Sequence, residues 1–104
     1  MKPHVRFEEE ADAEDCLAGR WYEDHRQHLG IEFFDAVDAT IDQIVLLPDA
    51  GSLVPRIPAD VPVRRRAVPR FPFHVVYLQT RNEIRILAIV HDRRQPGYWK
   101  GRLK

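Results

Sequence analysis

Cysteine is all but missing: Cys16 is the only one, so the chain cannot form an internal disulfide, which agrees with a reducing compartment. Cys16 itself is expected to be a buried small hydrophobe. No Cys/His spacing resembles a metal site, and no cofactor has to be invoked for the aromatic and aliphatic residues of the helices, which read as core. Long apolar runs are missing too. The longest purely aliphatic one, Ile44 to Leu47, is far too short to cross a bilayer. The N-terminus lacks the apolar segment of a signal peptide, so a cytoplasmic protein without a membrane partner is expected. There is no internal repeat and no low-complexity segment. A length of 104 residues with 44% hydrophobic and 31% charged composition then fits one globular domain, 1–104, with a modest core.

Net charge is absent as well, but only in sum. Residues 1 to 50 hold 4 Lys/Arg against 13 Asp/Glu, and residues 51 to 104 hold 12 against 3, so −9 is followed by +9. Such a split implies two halves that attract one another in the fold, a face made for a polyanion, or both. The second half carries 10 of the 13 arginines. Arginine offers a planar fork that pairs bidentately with phosphate or carboxylate, so this bias suits anion recognition.

The stretch Val63 to Trp99 organises the rest. Ile84, Ile86, Ala88 and Val90 alternate with Glu83, Arg85, Leu87, Ile89 and His91, the two-residue period of a strand with one buried face. Phe73 to Leu78 is apolar at nearly every position, as a central strand covered on both faces would be. Gln79 to Asn82 is polar and short enough for a hairpin loop. Upstream, His4 to Glu8 alternates and reads as a short edge strand. Glu9 to about His28 forms a first amphipathic helix, with Ala11, Ala18, Tyr22 and Leu29 on one face and Trp21 on its flank. Leu29-Gly30 supplies the break. Phe33, Val37, Ile41, Ile44 and Leu47 then repeat at helical spacing, opposite Asp35, Asp38 and Asp42, and this helix ends before Pro48. Asp49 to Pro62, with Pro55, Pro58 and Gly51, reads as an irregular surface connection. The expected fold is α+β: an N-terminal strand, a helical hairpin and a three-strand antiparallel meander (β-α-α-β-β-β), with the helices on one face of the sheet. The other face is expected to be concave, arginine-rich and open.

In this order, WYEDHRQHLGIEFFDAVDATIDQI in the helical hairpin, VRRRAVPRFPFHVVY in the middle strands and ILAIVHDRRQPGYW at the end cover nearly the whole chain, and together they resemble the RelE/ParE family of bacterial type II toxin-antitoxin toxins. The resemblance implies a plasmid-stabilisation-like toxin that inhibits growth when free of its cognate antitoxin, whose flexible segment wraps over it and keeps it silent until proteolysis removes that partner. Two mechanisms divide the family. RelE-like members cut messenger RNA on the ribosome, and ParE-like members act on DNA gyrase without being nucleases. Fold alone does not choose between them.

If this chain is an enzyme, the resemblance implies a metal-independent endoribonuclease. Attack by the 2′-hydroxyl of RNA needs a group to take that proton, one to protonate the leaving oxygen, and cations for the transition state. The candidate proton carriers are His74, His91 and Tyr98. The candidate cations are Arg64, Arg65, Arg66, Arg85, Arg93 and Arg94. Carried over by position, Arg65 and Arg93 fall where RNA-cutting relatives place basic residues, Tyr98 or else Trp99 near their C-terminal aromatic, and His74 where some of them have arginine. The catalytic candidates are thus His91, Arg93, Tyr98, His74 and Arg65, with Arg64, Arg66, Arg85 and Arg94 for RNA or antitoxin binding. One departure weighs against cleavage: Ala67 falls at or near a position where those relatives carry lysine, and no lysine occurs between Pro3 and Trp99. By the strand alternation, His91 should point away from the helices. Its alternative role is to tie down the tail at the strand end, and Arg64 to Arg66 could instead pair with acidic residues of the antitoxin or the helices. Phe71, Phe73 and Tyr77 read as sheet packing. Tyr98 and Trp99 could stack on a base or close one end of the core.

Overall fold

The computed structural model describes residues 4–57 and 61–103. Strand β1 (His4–Phe7) is followed by helices α1 (Glu9–His25) and α2 (Leu29–Leu46), a 3-10 turn (Pro48–Ala50), strands β2 (Ser52–Leu53), β3 (Val63–Ala67), β4 (Phe73–Gln79) and β5 (Glu83–His91), and a second 3-10 turn (Lys100–Leu103). The sheet order is β1-β5-β4-β3-β2, with β1 parallel to β5 and every other pair antiparallel. The expected strand, helical hairpin and meander are all present. The added element is β2, two residues that pair with Arg64 and Arg65 inside the stretch read as irregular. The middle of that stretch, residues 58–60, lies outside the described residues.

The helical hairpin turns earlier than Leu29-Gly30. His28, at φ 72°, takes the left-handed conformation, and Gly30 already belongs to α2. Glu23 on α1 makes this turn tight: its carboxylate accepts from the His28 and Gly30 amides at 2.9 and 3.1 Å, capping the N-terminus of α2. The His28 amide is the main reason that this carboxyl sits below its ordinary value. Gly30 serves close approach instead of the turn, since a Cβ there would lie 2.6 Å from the Gly19 carbonyl oxygen. The buried stripe Phe33, Val37, Ile41 and Ile44 then lies against Val75, Tyr77, Ile84, Ile86 and Ile89 of the sheet.

The alternation of β5 does not run unbroken. Val76 pairs with Ala88 and Tyr77 with Ile86, leaving Leu87 as a bulge. One extra residue in a two-residue period swaps the faces beyond it. Ile84, Ile86 and Ile89 therefore join the helix-side core, whereas Leu87, Ala88 and Val90 belong to a second cluster on the outer face. That outer face is not the open surface expected. Trp99, 3% exposed, packs there with Val63, Val76 and Leu78, and Val54, Ile57, Tyr98 and Leu103 pack around them. Trp99 thus closes the core on that side. Cys16 is exposed, correcting the buried expectation, because it lies about 140° round the helix from the Ala11–Ala18–Tyr22 face.

Candidate functional site

The register of β3, β4 and β5 sorts the candidate residues onto two faces. Arg65 opposes Val76, and His74 opposes both Ala67 and Val90, so these two side chains share the outer face. Arg64 and Arg66 oppose Tyr77 and Val75, on the helix side. Arg64 is engaged there, donating to the Gly51 carbonyl at 2.8 Å, while Arg65 is exposed. His74 Nδ1 lies 2.6 Å from Asp92 Oδ1. An ionised carboxylate only accepts, so Nδ1 is the donor of this pair. The Asp92 amide bonds the Pro72 carbonyl at 2.8 Å, which fixes this acid beside β4.

His91 sits beyond the bulge and points the other way, toward α1. Its ring meets Phe73 edge-on at 5.0 Å, and its Nδ1 accepts the Arg93 amide at 3.1 Å. This is the geometry of a strand-end histidine that holds the following turn. The expectation that it faces away from the helices fails because of the bulge at Leu87, which apolar residues on both parities of β5 conceal.

Tyr98 belongs to a clasp between the two ends of the chain. Its hydroxyl donates to Glu14 Oε2, and Arg102 grips the same carboxylate through Nη1 at 2.9 Å and Nη2 at 3.1 Å. Glu14 also accepts the Ile89 amide at 3.1 Å, and Arg102 donates to the Leu87 carbonyl at 2.9 Å. Burial, reinforced by the bond to Glu14, pushes the Tyr98 phenol up to about 12. It therefore holds its proton at any physiological pH. Arg85, expected to bind RNA or an antitoxin, is likewise turned inward, bonded to Glu8 and, at 3.0 Å, to the Arg102 carbonyl. Arg93 and Arg94 are exposed, and among the described residues neither has an ion-pair partner.

The acid–base set is thus brought together only in part: His74 and Arg65 share a face, His91 lies across the sheet from them, and Tyr98 is occupied. Three residues that sequence reasoning passed over, Asp92, Glu14 and Arg102, organise these surroundings. Their pairings span up to 88 positions, and only the register reveals them.

A concavity runs beside α1. One depression of about 450 Å³ is lined by Ala18, Trp21, Tyr22, Pro72, Phe73 and His91. A second of about 150 Å³ is lined by Glu14, Leu17, Phe73, Ile89, His91, Arg94 and Tyr98. They share Phe73 and His91 and form one trough. Among the described residues, no group of three or more His, Cys, Asp or Glu is placed to hold a metal ion, and no helix is long and apolar enough to cross a membrane.

No protein-family model matches the sequence, and no curated protein matches it. Among solved structures, a chain described as "Chromosomal ParDE TA system from P. aeruginosa" superposes with a TM-score of 0.60 at 19% identity, covering 86% of this chain and 96% of that one. At that identity the likeness is one of fold.

Proposed function

We propose that this chain is the growth-inhibiting toxin of a type II toxin-antitoxin, plasmid-stabilisation-like module, acting in the cytoplasm, silenced by a cognate antitoxin, and that it works ParE-like, by binding DNA gyrase, without cutting RNA. The fold it shares with a chain from a ParDE system supports the toxin reading. The dispersal of His91, His74 and Tyr98 carries the choice of mechanism. A general acid or base must come within about 3 Å of the proton it moves. Histidines on opposite faces of a sheet do not reach one phosphodiester, and a phenol donating to Glu14 is not poised to give up its proton. What remains for a partner is surface: the trough beside α1 and the exposed Arg93 and Arg94, which have no ion-pair partner among the described residues.

A second reading, a metal-independent endoribonuclease acting on messenger RNA at the ribosome, is favoured by one observation, the His74–Asp92 pair on the same face as Arg65. The test measures gyrase supercoiling and cleavage of messenger RNA on programmed ribosomes side by side, with wild type, His74→Ala, His91→Ala, Arg93→Ala and Tyr98→Phe. The expected outcome is blocked supercoiling and no cleavage. Cleavage without added metal that falls about a hundredfold or more in His74→Ala, with the fold intact, would replace the gyrase reading by the nuclease one. A chain that leaves growth untouched in its native host would remove the toxin reading itself.

A further inference from the structure

The helical hairpin carries a hollow of its own on the side turned away from the sheet. Phe34 lies over Gly19, and Gly30 meets the Gly19 carbonyl. Two positions without side chains thus let α1 and α2 close up, and they leave a hollow of about 470 Å³ in the half of the hairpin nearer its turn. Ile31 rims it and is 57% exposed. The core does not use this side chain, because α2 packs on the sheet through Phe33, Val37, Ile41 and Ile44. A large apolar knob beside a largely apolar hollow is self-complementary: about a two-fold axis, the knob of each copy enters the hollow of the other.

The charges on the rim have the same property. Arg20 and Asp24 line the hollow one helical turn apart and are both exposed, yet they form no ion pair with each other or with any other described residue. Cation before acid is the less favourable order along a helix, which leaves both groups open to an outside partner. Where two copies of α1 cross antiparallel over the hollow, Arg20 of one faces Asp24 of the other, and the contact occurs twice. Glu23 lines the hollow too, but its carboxylate is committed to the His28 and Gly30 amides. Asp12, Asp35, Asp38 and Asp42 lie farther from the turn, and the same two-fold carries these acidic ends to opposite ends of the pair.

We infer that this hollow is the contact between two copies of the chain, an isologous dimer in which Ile31 of each copy seats against Gly19 and Phe34 of the other and Arg20 pairs with Asp24 across the axis. Helices of 17 and 18 residues, about 25 Å long and together about 20 Å wide, offer on the order of 500 Å² per copy, about 1,000 Å² in all. That is the lower edge of specific interfaces, so the dimer is reversible and forms as concentration rises. The assignment is independent of the toxin reading.

Sedimentation equilibrium over a range of concentrations measures the association, and the chain's only cysteine reports where it happens, since Cys16 lines the hollow and is exposed in the single copy. Wild type is expected to pass from monomer to dimer as concentration rises, with alkylation of Cys16 by iodoacetamide slowing in step. Each substitution acts twice across the axis, so Ile31→Asp and Arg20→Asp should each weaken the dimer by about thirtyfold or more, whereas Arg81→Glu in the β4–β5 loop should associate as wild type does. Reversing the pair, Arg20→Asp together with Asp24→Arg, should restore association to within about threefold of wild type, which a variant that had merely lost its fold would not do. Thermal melts of every variant are run alongside. A chain that stays monomeric up to millimolar concentration overturns the inference. A dimer that survives Ile31→Asp and leaves Cys16 fully reactive is built on another face and overturns it as well. So does a doubly reversed variant that melts like wild type and fails to associate.

Discussion

Asp15 has a carboxylate oxygen that is buried and finds no hydrogen-bond partner among the described residues. Burial above all, then the neighbouring Asp38 and Asp12, pushes its pKa up to about 6. The folded chain therefore holds this proton more tightly than the unfolded one, so the contribution of Asp15 to stability is greatest below the ordinary carboxylate range and is lost as pH rises through about 6. At neutral pH the ionised group is a liability. Asp15→Asn should raise stability at pH 7.5 by on the order of 1 kcal/mol after allowing for solvent screening, roughly 4–8 °C in Tm, with the gain fading toward pH 4. Thermal melts of both proteins across that range check it, and an Asn variant that melts lower at pH 7.5 would refute it. The aspartate row on α2 was legible as a solvated face. That Asp15 on α1 would bury one oxygen near it was not, because this burial comes from the packing of α2 against α1, where Asp38 approaches it, and the pattern of α1 alone does not show that.

The element boundaries follow local chemistry, and the misreadings share one cause. A glycine next to a polar link suggested the helix break, yet the positive φ falls on His28 and the glycine is used for contact. Gly30→Ala should therefore destabilise by about 1–3 kcal/mol, the range for overpacking, because the new methyl meets backbone and cannot be accommodated by a rotamer change. Urea denaturation measures it. A cost of only a few tenths would mean that the helices can slide apart. The bulge at Leu87 escaped for a related reason. Residues 84 to 90 are apolar on both parities apart from Arg85, so the pattern signals a two-sided strand but holds no mark of where its phase slips. Everything about His91 depended on that phase. The hairpin loop at Gln79 to Asn82 and the edge position of β1 were legible, since each rests on a short polar or alternating run.

For the molecule as a whole, the opposed charge of the two halves is put to internal use in part. Arg85 with Glu8, Arg102 with Glu14 and Arg70 with Glu32 each join a base of the second half to an acid of the first. Of these, Glu14–Arg102 is the most tightly built, and Tyr98 completes it. Tyr98→Phe removes one donor to Glu14 and should cost about 0.5–1.5 kcal/mol in stability. In the gyrase reading it leaves supercoiling inhibition unchanged at temperatures where the variant is folded. A variant as stable as wild type but inactive would give the phenol a functional role. The strand order has a different kind of consequence, in time. The β4–β5 hairpin closes locally, but β1 reaches its place only when His4 meets Glu83, and β5 keeps an unpaired flank until it does. Closing the chain over that distance costs entropy before the pairing rewards it, so folding is expected to be slower than that of helical bundles of the same length.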